Sequence, residues 1–583
     1  MAYAETTFTN RSRVVLGMHI DTQLLEPDQI IESDVCIIGA GPAGTTSAQE
    51  FLDSDLRVTL LESGGLEYNP RAQQLSSGEI SGDLYEPMED THLRQVGGTA
   101  NHWIIKMADK EFGYRYAPLN DVDFKPRAAV PNSGWPITRK ELEPYYQRAH
   151  TACEIGPFRY QAGSWDKQGF ETLDVEEKGL VNNYFAFGPT RVFTKTIPEK
   201  IAGSKNVNLY YNATVVELLC HADSDKVSCA KVRTFDGKET LFKAQYFILA
   251  GGGYQTARLL LASNRQKSNG LGNEHDVVGR YYMDHSLSPS GNFYPHDLKL
   301  INRLGVYDMR LIDGASILGK LGFTEKTLEE QQLLNFTATV FPMPKARDVD
   351  ALKALRSIAI DLKGRRFPKH LLRNAYKGLL GGKHLMHVLF QLLIHGAPIM
   401  PGFGQGGWSK THDNHKKFER LELLAFVEQS PMPDNRVTLS NEKDELGMPK
   451  LKAHYKWREQ DLKSISKAGK LMGQALSATN LGRFVPAGDG NNPVIGSLGL
   501  HHIMGTTRMG NDPATSVVDK HCKVHSLDNL YIASSSVFTT GGYANPTLTI
   551  LALALRVTDT VKTRVTAGEV SFQNQQEVLE AVT

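Results

Sequence analysis

The order of apolar and polar positions near the start of the chain predicts strands alternating with helices. A strand-like run at Asp34–Ile38 leads into a glycine-rich turn, a helix-like stretch and an apolar run at Val58–Leu61. Short runs with the alternation typical of strands recur further along. They are Val207–Leu218, Lys226–Phe235, Tyr246–Leu249 and Asn335–Phe341. Helical patterns are predicted at Glu459–Leu476 and Thr547–Val561.

Two other segments have patterns of a different kind. Residues 80–150 are rich in Gly, Pro and aromatic residues, which predicts a long, loop-rich connection. Residues 364–383 form a basic amphipathic stretch. A solvated basic helix that covers another part of the protein is favoured there, and docking on a membrane or a partner subunit is the alternative.

Length and composition indicate a large protein with a balanced charge. A chain of 583 residues exceeds the usual size of a single core, so two or more domains are expected. The 65 basic and 64 acidic residues give a formal charge of +1, which argues against nucleic acid as a partner. Five scattered cysteines without a CxxC pair favour reduced thiols and predict no metal cluster. Since neither a signal peptide nor a transmembrane run is found, a cytoplasmic location is predicted.

The glycine-rich turn carries the first candidate chemistry. Gly39, Gly41 and Gly44 form a GxGxxG pattern between the first strand and the helix, and Glu62 ends the second strand. Glycines at these positions allow a tight turn and let a pyrophosphate approach the helix N-terminus. A carboxylate at the end of the second strand accepts hydrogen bonds from ribose hydroxyls. The sequence therefore predicts a dinucleotide site, and Glu62 disfavours NADP.

Further blocks follow the glycine motif along the chain. They are Gly97–Trp103, Ser133–Ile137, Val278–Tyr281 with Asp284-His285, Glu428–Leu439, His501–Gly510 and Gly541–Ile550. Together with the glycine motif they resemble the glucose–methanol–choline (GMC) oxidoreductases, most of all pyranose oxidases and bacterial sugar dehydrogenases. The resemblance implies an α/β fold, in which a Rossmann-type FAD-binding domain is interleaved with a substrate domain built on an antiparallel sheet with flanking helices.

The resemblance also implies domain boundaries. Residues 30–280 are assigned mainly to the FAD-binding domain, with 80–150 as a loop-rich insertion. Residues 281–490 are assigned mainly to the substrate domain. The chain then returns to the FAD domain at 491–565, which carries the catalytic residues.

The catalytic roles implied by the resemblance fall on the last two blocks. His502, three residues before Gly505, matches the catalytic base of the family, and its neighbour His501 does not. Asn545 matches the family's second substrate-facing position. Its place before Pro546 and Thr547 also predicts an N-cap, with Pro546 at the first helical position. The helix that starts there is expected under the flavin.

The remaining implied residues surround the cofactor and substrate. Gly97, Gly98 and His102 are expected at the flavin, and His102 matches the histidine that pyranose oxidases bond covalently to FAD. A loop histidine beside a non-covalently held flavin is the alternative. Val216 is predicted to meet the adenine through its backbone, and Gln429 to face a substrate hydroxyl.

The predicted function is FAD-dependent oxidation of an alcohol, with a secondary hydroxyl of a sugar, glycoside or polyol as the substrate group. Electrons pass to oxygen or another acceptor, and Ile104 disfavours fast reaction with oxygen because pyranose oxidases tend to carry a small hydroxylic residue there. A homo-oligomer and a small partner subunit both remain open. The alternatives are a non-redox lyase on the same scaffold, a dehydrogenase of a bulky non-sugar alcohol and a binding protein with a vestigial FAD.

Overall fold

The chain folds around two large β-sheets, and the first of them takes strands from both ends of the sequence. The computed structural model describes residues 19–568 except 104, 108–109, 114, 167–169, 222–223, 364–366, 369, 384, 387–388, 391–406, 411–412, 489–492, 494 and 497–499. The strands, numbered in chain order, are β1 (His19–Asp21), β2 (Ile30–Ile38), β3 (Val58–Leu61), β4 (Gly78–Gly82), β5 (Ile105–Met107), β6 (Lys110–Phe112), β7 (Arg115–Tyr116), β8 (Leu180–Phe187), β9 (Val207–Tyr211), β10 (Thr214–Cys220), β11 (Val227–Arg233), β12 (Glu239–Leu249), β13 (Ser286–Pro295), β14 (Arg310–Ile312), β15 (Ala315–Phe323), β16 (Phe336–Pro344), β17 (Phe418–Val427), β18 (Arg436–Lys443), β19 (Pro449–Tyr455), β20 (Gly482–Pro486) and β21 (Leu530–Ile532).

The helices alternate with these strands along the chain. They are α1 (Pro42–Gln49), α2 (Pro70–Gln74), α3 (Met88–Thr91), α4 (Asp121–Phe124), α5 (Arg139–Ala152), α6 (Ile197–Ala202), α7 (Gly252–Ala262), α8 (Leu300–Arg303), α9 (Glu325–Gln331), α10 (Ala346–Lys363), α11 (Leu371–Leu380), α12 (Asn414–Lys417), α13 (Glu459–Ser477) and α14 (Thr547–Thr566). None of the described helices is both long and apolar enough to cross a lipid bilayer.

The first sheet has the order β1-β9-β3-β2-β12-β11-β10, and β21 pairs with β12. Its centre is parallel: β2 pairs with β3 in the register Val35↔Val58, and β12 pairs with both β2 and β21. Every residue of β3 is buried, as expected for a parallel strand covered on both faces. The predicted order of strand, glycine turn, helix and strand is β2, α1 and β3. This is the Rossmann-type arrangement.

The second sheet has the order β20-β13-β17-β16-β15-β8-β7, and its pairs are antiparallel. Two of its strands, β7 and β8, come from within residues 30–280, which the sequence assigned mainly to the other domain. The two sheets are therefore interleaved more finely than the predicted boundaries. A smaller sheet joins β18 and β19 to β4.

Two local differences separate the sequence prediction from the fold. The run predicted as one strand at Val207–Leu218 is two strands, because Asn212 adopts a left-handed backbone (φ 54) and donates its N–H to the Gly64 carbonyl at 2.8 Å. The loop-rich region 80–150 ends in the helix α5. The start of α5 is fixed by a capping box, in which the side chains of Thr138 and Glu141 each accept the backbone N–H of the other residue.

Candidate active site

A cavity opens at the carboxyl ends of the parallel strands β2, β3 and β12. Gly39, Glu62 and Ala250 line it at this end. The same cavity continues to His502 and Asn545 in the C-terminal segment. Ligands of open α/β sheets bind in this position, outside the carboxyl ends of the strands.

The backbone of the glycine turn that precedes α1 is tightly constrained. Gly39 has φ +105, and a Cβ atom there would lie 2.6 Å from the Ala250 carbonyl oxygen. A Cβ atom on Gly44 would lie 1.8 Å from the Gly39 oxygen, so both positions require glycine. Gly41 is different, because a Cβ atom there would meet nothing closer than 4.0 Å. Gly41 precedes α1 and lines the cavity, so the positive end of the helix faces the ligand space.

Glu62 is held rigidly beside this turn. One carboxylate oxygen accepts the N–H of Ala40 and the other accepts the N–H of Gly64, each at 2.9 Å. Each oxygen keeps a second lone pair, which a ribose hydroxyl is able to use. Burial raises the pKa of the Glu62 carboxyl, and these backbone hydrogen bonds oppose the shift.

The donor set of the cavity fits a dinucleotide. A helix N-terminus suits a pyrophosphate and a carboxylate suits a ribose, and the two stand side by side. Thr256 adds an unused polar group, since its hydroxyl is buried and has no hydrogen-bond partner among the described residues. The start of β10 also lines the cavity, through Ala213, Thr214 and Val215.

The prediction for Val216 does not match this lining. Val216 lies at a β-bulge in β10, where the register shifts between Val215 and Glu217. The bulge leaves Val215 on the cavity and Val216 off it. The lining residue is therefore the neighbour of Val216, and a contact of the Val216 backbone with the adenine stays a prediction.

A second glycine turn closes over the first. Gly97 and Gly98 have φ 90 and 56, and a Cβ atom on Gly98 would lie 2.9 Å from the Cα of Gly41. Only glycine allows this close approach. The turn leads to His102, which is exposed, and to Trp103, which lines the cavity. Desolvation lowers the pKa of His102. Ile104, the residue tied to oxygen reactivity, lies outside the described residues.

A row of hydrogen-bonded groups ends at the far end of the cavity, where His502 and Asn545 line it. His285 Nε2 lies 2.9 Å from the Gly542 carbonyl oxygen, and His285 Nδ1 lies 3.0 Å from His502 Nδ1. On the other side of its ring, His502 Nε2 lies 3.2 Å from Asn545 Nδ2. His502 also stacks on Trp103, with ring centroids 6.3 Å apart.

This row fixes which nitrogen of each ring carries the proton. A carbonyl oxygen only accepts, so His285 donates through Nε2. Burial lowers the pKa of His285 to about 4, so the ring is neutral and its Nδ1 accepts. His502 must then donate through Nδ1, which leaves a lone pair on its Nε2. Asn545 donates to that lone pair through Nδ2. His502 Nε2 is therefore the basic nitrogen of the row, and it faces Asn545, which also lines the cavity.

Asn545 has a second polar atom that is not used within the protein. Its Oδ1 is buried and has no hydrogen-bond partner in the described part of the chain. The helix α14 begins at Thr547 with Pro546 as its N-cap, one residue later than predicted. Because Asn545 therefore does not cap the helix, its amide is available to a ligand. Pro546 and Thr547 line the same cavity.

The backbone of both histidines is held by Asp284. Its Oδ1 accepts the N–H of His285 at 2.7 Å and the N–H of His502 at 2.8 Å, and the Tyr85 hydroxyl donates to Oδ2. The neighbouring His501 has a left-handed backbone (φ 60), and its Nε2 lies 2.5 Å from Glu86. Adjacent histidines thus have different partners, and His502 is the one beside Asn545.

Two buried cations lie near His502 on the second sheet. Arg115 lines the cavity, and the Lys320 ammonium lies 4.0 Å from the ring centroid of Phe185. Burial, and then Arg115, lowers the pKa of Lys320 well below its usual value. Burial first, and then the nearby basic groups of His285, His501, Arg115 and Lys320, lowers the pKa of His502 well below 6.5. His502 is therefore neutral at physiological pH, the protonation state that a base requires.

Gln429, predicted to face a substrate hydroxyl, is a buried residue. Gln429 does not line the cavity. Its Oε1 accepts the N–H of Asp284 and its Nε2 donates to the Lys456 carbonyl, each at 3.2 Å. Both ends of the amide are therefore used to hold the segment that carries the two histidines.

Sequence reasoning assigned no role to several residues of the site. Asp284 and His285 belong to a motif, but their contacts with His502 were not predicted. Lys320 has a signal in the sequence, because it is a lone cation in an otherwise apolar run at Ser316–Phe323. Arg115 stands among aromatic residues and has no such signal.

Comparison with known proteins gives matches along most of the chain. A family model described as GMC oxidoreductase matches residues 431–554. Paromamine 6'-oxidase of Streptomyces fradiae is 36% identical over 580 residues, covering 90% of each chain. The fructose dehydrogenase large subunit of Gluconobacter japonicus is 23% identical, covering 92% of this chain and 98% of that one. For 2-methyl-1,2-propanediol dehydrogenase of Mycolicibacterium austroafricanum, identity is 24%, with 91% and 96% covered.

Proposed function

The chain belongs to the GMC oxidoreductase family, and we propose that it oxidises a CH–OH group with His502 as the base. The observation that carries this proposal is the row from Gly542 through His285 and His502 to Asn545. It leaves His502 Nε2 with a lone pair in a cavity that also fits a dinucleotide.

Members of this family bind FAD, which when bound supplies the acceptor for a hydride from the substrate carbon. The residues that would hold it are those of the two glycine turns, Glu62 and the start of α14. Gly41 and the N-terminus of α1 would contact the pyrophosphate, and Glu62 would contact the adenosine ribose. The N-terminus of α14, at Pro546 and Thr547, favours negative charge on a group bound beside it.

The protein's part in the chemistry is to take a proton from the substrate. The substrate hydroxyl donates its proton to His502 Nε2, which makes the carbon a better hydride donor. Asn545 orients the hydroxyl by donating an Nδ2 N–H to the substrate oxygen, because this N–H lies beside His502 Nε2. His285 accepts from His502 Nδ1 and keeps the imidazole in the required tautomer. The nearby Arg115 and Lys320 oppose a lasting positive charge on His502, so the proton has to leave after each turnover.

The proposed substrate group is a secondary hydroxyl of a sugar, glycoside or polyol. Relatives named for fructose, 2-methyl-1,2-propanediol and paromamine support a sugar or polyol. The secondary position comes from the sequence resemblance alone, because 2-methyl-1,2-propanediol has only a primary and a tertiary hydroxyl. Their names include oxidases and dehydrogenases, so oxygen or another acceptor completes the cycle. His102 is also proposed as the site of a covalent bond to FAD. It follows the glycine turn on the segment that carries Trp103 into the cavity.

The proposal is tested by mixing the holoenzyme with candidate alcohols without oxygen. The panel contains monosaccharides, glycosides, polyols and simple alcohols, each beside a deoxy analogue that lacks one hydroxyl. Loss of the flavin visible band with one class, but not with its deoxy analogue, is expected. Turnover with no acceptor and no loss of the band would instead identify a non-redox lyase.

A further inference from the structure

Exposed apolar side chains are concentrated in one helical hairpin, formed by α10, α11 and the residues that follow α11. Most of the large hydrophobic residues that are exposed in the described part of the chain lie between residues 355 and 390. They are Leu355, Ile360, Leu362, Phe367, Leu372, Tyr376, Leu379, Leu380, Met386, Leu389 and Phe390. A contiguous set of this kind marks an interaction surface rather than scattered exposure.

The helix α11 carries the clearest stripe. Leu372, Tyr376, Leu379 and Leu380 stand at i, i+4, i+7 and i+8, the spacing of one helix face. In a helix that covers a core this face is buried, yet no residue of α11 is buried. Leu372 is 87% exposed and Leu379 is 81% exposed. The solvated helix favoured by the sequence would turn this stripe inward, so the structure argues against that interpretation.

The opposite side of α11 faces α10, which fixes the direction of the stripe. Lys377 pairs with Asp350 at 3.0 Å, and a Cβ atom on Gly381 would lie 2.3 Å from the Cβ of Ala351. Ala351 is itself buried. The contacts that hold the hairpin together therefore use the inner side of α11 and leave the apolar stripe outside.

The hairpin is also strongly basic in a chain that is nearly neutral. Residues 345–383 contain eleven Lys and Arg against three Asp and Glu, whereas the whole chain has a formal charge of +1. Arg356 and Arg373 are exposed beside the apolar residues. An apolar stripe flanked by cations complements the acyl chains and anionic headgroups of a bilayer surface. A protein partner would need matching acidic and apolar patches together.

We propose that the hairpin docks on an anionic lipid bilayer, with α11 lying in the plane of the interface. The proposed attachment is to one surface of the bilayer. A single amphipathic helix with basic flanks gives reversible binding that weakens with salt. This inference goes beyond the proposed oxidation and does not depend on it.

Vesicle flotation of the full-length holoenzyme tests the proposal. Vesicles contain phosphatidylcholine alone or phosphatidylcholine with phosphatidylserine. We expect binding to the vesicles with phosphatidylserine, weaker binding to the neutral ones and release by salt. The double variant Leu372→Ser, Leu379→Ser should bind about tenfold less, because the buried apolar area is lost. Arg356→Gln with Arg373→Gln should lose the preference for phosphatidylserine.

A matched control uses leucines that are equally exposed elsewhere. Leu24 and Leu84 are 82% and 76% exposed, and Leu24→Ser with Leu84→Ser should leave flotation unchanged. Flavin absorbance and the melting temperature show whether each variant is folded. The proposal is overturned if the wild type does not float, or if the stripe variant and this control lose binding equally. Stripe-dependent self-association without flotation would also overturn it, by assigning the surface to a second copy of the chain.

Discussion

His285 Nδ1 lies 3.0 Å from His502 Nδ1, although the two residues are 217 positions apart in the chain. Because the other nitrogen of His285 is committed to the Gly542 carbonyl, this contact sets the tautomer of His502. The base of the proposed reaction thus depends on a second histidine that does not line the cavity.

Replacing His285 with Phe should slow flavin reduction by about tenfold to a hundredfold, less than loss of the base itself. The variant removes the acceptor for His502 Nδ1–H, so the other tautomer becomes populated. His285→Asn keeps a polar acceptor and should recover part of the rate. The measurement is anaerobic single-turnover reduction across pH. A uniform loss in both variants, together with a lower melting temperature, would mean that His285 only supports packing.

The pH dependence follows from the lowered pKa of His502. The base must be neutral, so activity is lost as pH falls through its pKa and is constant above it. With that pKa well below 6.5, the reduction rate should be flat between about pH 6.5 and 9.

Asn545→Asp provides the complementary test. A carboxylate beside His502 Nε2 stabilises the charged imidazole and raises its pKa. The rate of this variant should therefore begin to fall at a higher pH than in the wild type, while Asn545→Ala should slow the reaction without moving the profile upward. An unchanged profile in Asn545→Asp would argue against His502 as the titrating base.

Gly98→Ala should weaken both folding and FAD binding. Its φ of +56 and the 2.9 Å approach to the Gly41 Cα together predict a cost of about 2–4 kcal/mol. Gly237 has φ +83, and a Cβ atom there would meet nothing within 4 Å, so Gly237→Ala should cost only about 1–2 kcal/mol. Denaturant unfolding and FAD retention on gel filtration give the comparison. Equal losses in the two variants would show that the close approach of the glycine turns is unimportant.

Acid precipitation tests the proposed bond between His102 and FAD. A covalent link keeps the yellow colour in the protein pellet, and His102→Ala should release it to the supernatant while FAD still binds before precipitation. Because His102 is exposed, this substitution should leave the melting temperature of the apoprotein nearly unchanged. A colourless wild-type pellet would assign His102 to the alternative of a loop histidine.

The sequence revealed the parts of the site that depend on neighbours in the chain. Gly39, Gly41, Gly44 and Glu62 follow from a strand, a turn and a second strand within about thirty positions, where spacing determines geometry. The pairing of His502 with Asn545 came from a family resemblance. Contacts between segments that are far apart in the sequence could not be predicted.

Three features illustrate that limit. Gln429 was predicted to face the substrate. Its side-chain amide forms hydrogen bonds with the Lys456 carbonyl and the Asp284 N–H. No local sequence pattern predicts these two contacts. Lys320 reaches the neighbourhood of His502 through pairing of strands in the second sheet. The stripe of α11 points outward although the sequence favours an inward one, because periodicity gives the face of a helix and not the direction in which it points.

The rate of flavin reduction in His502→Ala tests directly whether His502 is the base. The holoenzyme is mixed without oxygen with the substrate identified by the alcohol panel, and His501→Asn serves as the matched control because Asn tolerates the left-handed backbone at that position. If His502 is the base, His502→Ala retains FAD but is reduced about 10²–10⁴-fold more slowly, while His501→Asn stays close to the wild type. Reduction of His502→Ala at the wild-type rate would contradict the assignment of His502 as the base.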